Sequence, residues 1–382
     1  MKIFHLSDLH IGLKFENRDL KEDQLHIFRQ IASSAKEEQP QVILIAGDIY
    51  DNSVPSAEAY EVFDEFINML REACPDASIM MISGNHDSAP RVNTYRSVLK
   101  NSKLYMIGTP PANEEDHIEK VTVSDDYGEV NFYLLPFVKP SSIRNIVGVD
   151  EDNRLLSYDE AVHKLIEREN IDTSARNVIV SHQFYLPLGK NADEVDRMES
   201  EVVYVGNIDH VYADCLEAFD YAALGHIHKP MKVGGNEFIR YCGTPLACSL
   251  SEAGQDKAIV VVELGEKGTR STREIKLAPK HLVRKISGAY EDIIKQKSDD
   301  YVQIILEDQV DLNMADCMDK LRHCYPRLIK VSRTHERQVR IPREHKEVAS
   351  IDPYDLCLEI TDFTDEEKEL LKDIINTVKE AN

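Results

Sequence analysis

Five short stretches constrain this chain more than anything else in it: SDLHIG, AGDIYD, SGNHDS, VSHQF and LGHIHK, each setting Asp, His or Asn where an apolar, β-branched run gives way to a turn. The runs that feed them, KIFHLS, VILIA from Val42, IMMIS from Ile79, VIVSH from Val178 and YAALG from Tyr221, read as strands, as do LYMIG from Leu104 and VNFYLL from Val130. Between the early strands, Leu25, Phe28, Ile31 and Ala32, and then Tyr60, Phe63, Phe66, Ile67 and Leu70, recur with the period of a helix. Alternating strands and helices predict an α/β sheet.

From about Ile118 to Pro136 and from Glu237 to His281 helices thin out and hairpin-like pieces appear, such as KVGGNEFIRY around Gly234 and Gly235. The expected fold class is therefore α/β, a sandwich of two face-to-face sheets flanked by helices, over residues 1–279. The texture then changes. VQIILE, a helix from Leu312 to Tyr325 and the strand RLIKVSRTH suggest a small α+β capping domain over 280–345. Over 346–382, Asp352 before Pro353 and the capping box of Thr364 with Glu367, followed by Leu370, Leu371, Ile374, Ile375 and Val378, predict a C-terminal helical hairpin with one greasy stripe, packed on its own domain or docked to a partner protein.

The chain of 382 residues carries 45 Lys and Arg against 68 Asp and Glu, a formal charge of -23, in a composition that is 42% hydrophobic, which excludes disorder and fibrous classes. The amino terminus lacks the apolar core of a signal peptide, and no run approaches the roughly 18 apolar residues of a membrane span. A cytoplasmic protein with no membrane association is expected. Seven cysteines (Cys74, Cys215, Cys242, Cys248, Cys317, Cys324, Cys357), with no C-x-x-C pair, read as reduced core thiols rather than a zinc site. The acidic balance is unusual for a protein that grips a polyanion. Either the substrate is small, or nucleic-acid contact is confined to a local patch, assisted by metal ions or shared with a partner.

In an extended chain, residues two apart point to the same side, so Asp8 with His10, and His226 with His228, are expected to converge. Singly, each polar residue has an ordinary explanation, a turn cap or a satisfied core histidine. Jointly, Asp8, His10, Asp48, Asn85, His182, His226 and His228 at five strand ends do not, because burying several unpaired acids and imidazoles without a cation is too costly. Carboxylate, imidazole and amide donors with no thiolate suit Mn²⁺, with Fe²⁺ or Zn²⁺ as alternatives. Seven ligands exceed one ion and fit two, about 3.5–4 Å apart with a bridging carboxylate, the arrangement that supports in-line displacement at phosphorus. A phosphoester hydrolase is implied. His86, beside Asn85, is the expected general acid, with Asp87 expected to orient its ring.

DLHIG, GDIYD, GNHD, SHQ and GHIH, in this order, resemble the calcineurin-like metallophosphoesterase superfamily, and YCGTPLACSLSEAGQDKAIVVVEL after the last His pair is similar to the SbcD family of nuclease subunits. The likeness covers about the first 270 residues well. It implies that Asp8, His10, Asp48 and His228 hold one Mn²⁺ and that Asp48, Asn85, His182 and His226 hold the other, with Asp48 bridging and His86 catalytic. It also implies exonuclease and endonuclease action on DNA ends and hairpins, driven by an SbcC-type ATPase bound through the C-terminal helices. The pattern departs at Asp51, where archaeal and eukaryotic relatives usually carry a second histidine. A small-molecule phosphodiesterase or nucleotidase on the same scaffold is the alternative, and an interaction protein with a vestigial site a third reading. Lys14, Arg18, Arg91 and Arg96 are candidates to meet a DNA backbone, and apolar residues on more than one face of SAEAYEVFDEFINMLREA suggest a homodimer.

Overall fold

Apolar side chains that alternate between two surfaces organise the strands of this protein into a sandwich. The computed structural model describes residues 1–15, 18–190, 210–308, 314–334 and 368. The chain divides into two units, Met1–Arg333 and Thr334–Asn382. The helical hairpin expected over 346–382 lies, apart from Lys368, outside the described residues.

Within the first unit, strands β1 (Lys2–Leu6), β2 (Val42–Ala46), β3 (Ser78–Ile82) and β4 (Leu104–Ile107) run parallel. Helices α1 (Lys21–Glu38) and α2 (Ala57–Ala73) form the crossovers from β1 to β2 and from β2 to β3. The second sheet begins with the antiparallel hairpin β5 (Glu119–Asp125) and β6 (Gly128–Leu135), continues after helix α3 (Tyr158–Glu167) with β7 (Arg176–Ser181) and β8 (Tyr221–Leu224), and ends at β9 (Met231–Lys232) and β10 (Ile239–Tyr241). The chain then returns to the first sheet as β11 (Lys257–Leu264), antiparallel to β1, and β12 (Arg270–Leu277) on its edge.

Side-chain parity explains the layering. Ile3, Leu44, Met80 and Val262 of the first sheet meet Phe132, Val178, Val180 and Tyr221 of the second in a shared interior. Their neighbours Phe4, Ile43, Ile79 and Met81 face outward onto Phe28, Ile31, Phe66 and Leu70 of α1 and α2, and Leu135, Ile179 and Leu224 face Val162 and Leu165 of α3. Every residue of β2 and β3 is buried, as expected of strands covered on both faces. Local chemistry closes the helices: Ser56 Oγ accepts the Ala59 N–H at 3.3 Å, and Ser157 with Glu160 forms a capping box. Among the described residues no helix is long and apolar enough to cross a membrane.

A third sheet, β13 (Val283–Gly288), β14 (Tyr301–Leu306) and β15 (Leu328–Arg333), is all parallel. Helix α4 (Met314–Cys324) joins its last two strands, and a separate core of Ile293, Val302, Ile304, Leu321 and Tyr325 fills it. It meets α1 through a polar joint. Asp23 accepts from the Tyr301 hydroxyl at 2.9 Å and lies 2.7 Å from His281 Nδ1, while Arg18 Nη2 donates to the Pro326 carbonyl at 2.8 Å. Arg18 is thus engaged with this sheet, and Arg96 is paired with Glu119 at 2.6 Å.

His5, on β1, crosses the interior to the second sheet: its Nδ1 lies 2.8 Å from the Tyr221 hydroxyl and its Nε2 3.2 Å from the Leu224 carbonyl. Burial, reinforced by the Arg240 charge, pushes the ring down to about 3. The unfolded chain therefore takes up a proton on this residue below about 6.5 that the native state refuses until about 3, so the contribution is complete above pH 6.5 and is lost as pH falls through that window. Thermal melts between pH 7 and pH 3 should fall more steeply for the native protein than for His5→Gln, and parallel curves would assign the acid sensitivity elsewhere.

Candidate metal centre

The five motifs of the sequence all emerge at the carboxyl ends of parallel strands. Asp8 and His10 follow β1, Asp48 follows β2, Asn85 and His86 follow β3, His182 follows β7, and His226 and His228 follow β8. Both sheets thus contribute to one site. Asp8, His10, Asp48, His182, His226 and His228 are each at most 4% exposed, whereas Asn85 and His86 are half-buried.

The pairs Asp8/His10 and His226/His228 do not converge through strand alternation, as the spacing suggested. The strands stop at Leu6 and Leu224, and Asp8, His10, Asp48 and His226 take left-handed backbone conformations with φ of 51°, 43°, 48° and 102°. Non-glycine residues in such conformations cost about 1–3 kcal/mol each and persist where surrounding structure fixes them. Here the Asp8 N–H donates to the Gly47 carbonyl and the His10 N–H to the Asp48 carbonyl, both at 3.0 Å. Two glycines are required by close approach: a β-carbon on Gly47 would strike the His182 ring, and one on Gly84 would strike the Asp48 carboxylate.

Two subsets of donors form around Asp48. On one side His10 Nε2 and His228 Nε2 are 3.2 Å apart, and His10 Nε2 lies 3.9 Å from Asp48 Oδ2. On the other, Asn85 Oδ1 lies 3.1 Å from His182 Nε2 and 2.9 Å from His226 Nδ1, while His182 Nε2 is 3.3 Å from Asp48 Oδ2 and 4.0 Å from Asp8 Oδ1. All seven expected ligands are therefore brought together. His86 joins the first side, since it, His10 and Asp48 each offer a donor atom within 4.8 Å of the others.

The electrostatics suit cations. Burial alone would raise the Asp48 carboxyl, but His182 and then His10 and His86 hold it far below the ordinary range. Burial alone would lower His182, and Asp48 with Asp8 instead lifts it to about 9. The pocket therefore draws strongly on any positive charge placed in it, an imidazolium or a divalent ion. His10 Nδ1, buried and without a hydrogen-bond partner, sits 3.6 Å from Asp51 Oδ1 and leaves Nε2 turned towards His228. The donor set fits two divalent ions, and such a pair, when bound, polarises a phosphate and lowers the pKa of water.

Asp87 has a different task from the one expected. Its carboxylate accepts the Ile49, Tyr50 and Gly84 N–H groups at 3.0, 2.9 and 2.9 Å, tying the turn after β2 to the turn after β3. Burial and the nearby Asp48 charge push it up to about 6 against those amides. The His86 ring is oriented by the Asp51 carbonyl, 3.0 Å from Nδ1, which leaves Nε2 for a reacting group. Asp51 thus acts on His86 through its backbone and faces His10 with its side chain.

Several residues of the centre were not singled out in the sequence. Glu252, 1% exposed, lies 3.3 Å from His228 Nδ1, accepts from Thr244 Oγ1 at 2.8 Å and from the Cys248 N–H at 3.0 Å, and is neutralised by buried Lys257 at 2.5 Å. This fixes the His228 ring with Nε2 directed to the centre. Gln24 Nε2 donates to the His10 carbonyl at 2.7 Å and the Leu9 carbonyl at 3.3 Å, anchoring the His10 turn from α1. Cys248, expected as a plain core thiol, stands beside His10 and His228. A cleft of about 470 Å³ opens next to the centre, lined by Lys14, Lys21, Asp51 and Asn52.

The model of the family described as calcineurin-like phosphoesterase matches residues 1–230. The chain belongs to this family. This phosphoesterase is also 32% identical over 339 residues to the SbcD component of the nuclease SbcCD from Staphylococcus epidermidis, a match that covers 87% of the chain and 85% of the relative. Solved structures are similar more loosely. TT1561 of Thermus thermophilus superposes over 72% of this chain and 98% of its own, with a TM-score of 0.38 and 11% identity. A dimetal phosphatase from Danio rerio covers 72% and 96%, with a TM-score of 0.39 and 12% identity. The enzyme is a phosphodiester hydrolase of the metal-dependent kind.

Glu252→Gln keeps the side-chain shape and leaves Lys257 its bonds to Thr244 and Gln255. Calorimetric titration with Mn²⁺ should show affinity lowered by roughly 10–100-fold, and an unchanged affinity would remove Glu252 from the centre.

Proposed function

We propose that this phosphodiester hydrolase is a Mn²⁺-dependent DNA nuclease subunit, a double-strand exonuclease of 3′–5′ polarity and a single-strand and hairpin endonuclease, serving DNA repair, recombination and replication in the cytoplasm. The observation that carries this reading over a small-molecule phosphodiesterase or nucleotidase is the reach of the likeness. The SbcD component of the Staphylococcus epidermidis nuclease resembles the chain over 339 residues, well past the 1–230 that the phosphoesterase family accounts for. A compact phosphatase has no need of the additional sheet.

In this reading Asp8, His10, Asp48 and His228 hold one Mn²⁺, and Asp48, Asn85, His182 and His226 hold the other. When bound, the two ions supply the charge neutralisation and the activated water that phosphodiester hydrolysis requires. The chain's own residues do the rest. Asp48 is kept ionised by His182 and its neighbours and is positioned to serve both ions. His86, with Nδ1 held by the Asp51 carbonyl, keeps Nε2 for the reacting group and delivers a proton to the leaving 3′ or 5′ oxygen. Asp87 keeps the two ligand turns in register. Lys14, on the wall of the cleft, meets the DNA backbone, which reconciles a charge of -23 with a polyanionic substrate by confining positive potential to the ions and a few side chains.

The partner is an SbcC-type ATPase bound through the segment 346–382, and the protein pairs with a second copy through the region of α2, where Tyr60 is 41% and Val54 69% exposed. Two sites side by side suit a DNA end.

Digestion of an end-labelled linear duplex with Mn²⁺, run beside hydrolysis of a cyclic nucleotide, separates the two classes of substrate. Shortening of the duplex is expected, and turnover of the cyclic nucleotide alone would defeat the nuclease reading. His86→Ala should lower duplex cleavage by roughly 10²–10⁴-fold with Mn²⁺ content intact. A variant that cleaves normally would take the acid role away from His86.

A further inference from the structure

The sulfur of Cys248 is a donor beside the centre that hard cations do not call for. Its Sγ and one nitrogen from each of His10 and His228 lie within 4.8 Å of one another, and both imidazoles are buried. His10 Nε2 and His228 Nε2 stand 3.2 Å apart, close to the edge of about 3.3 Å that two nitrogens at 2.0–2.1 Å from a tetrahedral ion define. The cysteine is held in place by the carboxylate that orients His228: Glu252 Oε1 accepts the Cys248 N–H at 3.0 Å and lies 3.3 Å from His228 Nδ1. The thiol itself makes a long contact, 3.5 Å, to the Leu246 carbonyl. Glu252 thus anchors both residues, which offer donors of different softness within 4.8 Å of each other.

We propose that Cys248, His10 and His228 form a capture site for a thiophilic divalent cation, Zn²⁺ or Cd²⁺, which competes with the ion of the hydrolytic centre and holds the enzyme inactive. The inference rests on the metal-centre reading given above. Sulfur donors favour Zn²⁺ and Cd²⁺ strongly over Mn²⁺, and two imidazoles plus one thiolate make three of the four positions of a tetrahedral site. When the ion binds, the Cys248 S–H proton passes to solvent as the sulfur–metal bond forms, with no change of oxidation state. Mn²⁺ has no comparable gain from sulfur, so the thiol stays a bystander in the active enzyme.

Titration of the full-length protein with Cd²⁺ tests this directly, because thiolate–cadmium bonds absorb in the ultraviolet by charge transfer. The band is expected in the native protein and should be lost from the difference spectrum of Cys248→Ser but kept in Cys215→Ser. Alkylation of native protein with iodoacetamide, read by mass spectrometry, needs no variant to fold: Cd²⁺ should protect Cys248. In duplex cleavage supported by Mn²⁺, the Zn²⁺ needed for half-inhibition should rise by roughly tenfold in Cys248→Ser. A cadmium band that survives in Cys248→Ser, or alkylation of Cys248 at the same rate with and without Cd²⁺, would overturn the inference while leaving Mn²⁺-dependent cleavage untouched. A native cadmium band in a protein that neither binds Mn²⁺ nor cleaves DNA would uphold the capture site and count against the nuclease reading alone.

Discussion

The Asp48 carboxylate sits almost wholly out of water at the point where two sheets meet, with His182 on one side, His10 on the other and the His86 N–H donating to it at 2.9 Å. A buried anion of this kind is tolerable only when positive charge is brought to it. Everything around it serves that requirement. Gly47 and Gly84 clear space for the His182 ring and for the carboxylate, and Asp87 pins the turns that carry Asp48 and Asn85. The same arrangement that makes the pocket expensive without cations makes it a strong cation site, so folding of the strand ends and metal affinity are two aspects of one free energy.

The architecture shares this load between layers. Asp8, His10, Asp48 and Asn85 come from the first sheet, and His182, His226 and His228 from the second. His182 also ties its sheet to the other, since its Nδ1 lies 2.7 Å from the Ala46 carbonyl at the end of β2. His5 and Tyr221 make a comparable link deeper in the sandwich. The ligand geometry is therefore set by how the two sheets face each other, and a change in the shared core of Leu44, Met80, Val178 and Val180 would be felt at the centre.

The strands that feed the ligands were legible because β1, β2, β3, β7 and β8 are short apolar runs that end abruptly in Asp, Asn or His. The seven candidate ligands that the fold gathers at one place were legible for the same local reason. What the sequence hid was everything that depends on direction or distance. Adjacency suggested that Asp87 would serve the His86 ring, but consecutive side chains of a turn diverge, and Asp87 points to the amides of Ile49, Tyr50 and Gly84. The i, i+2 spacing placed Asp8 and His10 together for the wrong reason, since left-handed turns and not strand pleating bring them in. Strand β12, RSTREIKL, shows no strand signal of its own because an edge strand with a solvated face carries little apolar pattern. Glu252 and Lys257 resemble surface charges in the sequence, and only tertiary packing buries them as a pair beside His228.

Asp23 and Gln24 are consecutive residues in the first turn of α1, and they face different clients. Asp23 grips His281 and Tyr301 at the foot of the third sheet, while Gln24 holds the carbonyls of Leu9 and His10. One peptide unit thus separates a mechanical attachment from a ligand turn. A displacement at the start of α1 would therefore be felt at both the foot of the third sheet and the His10 turn, so the two are mechanically joined across a single peptide unit.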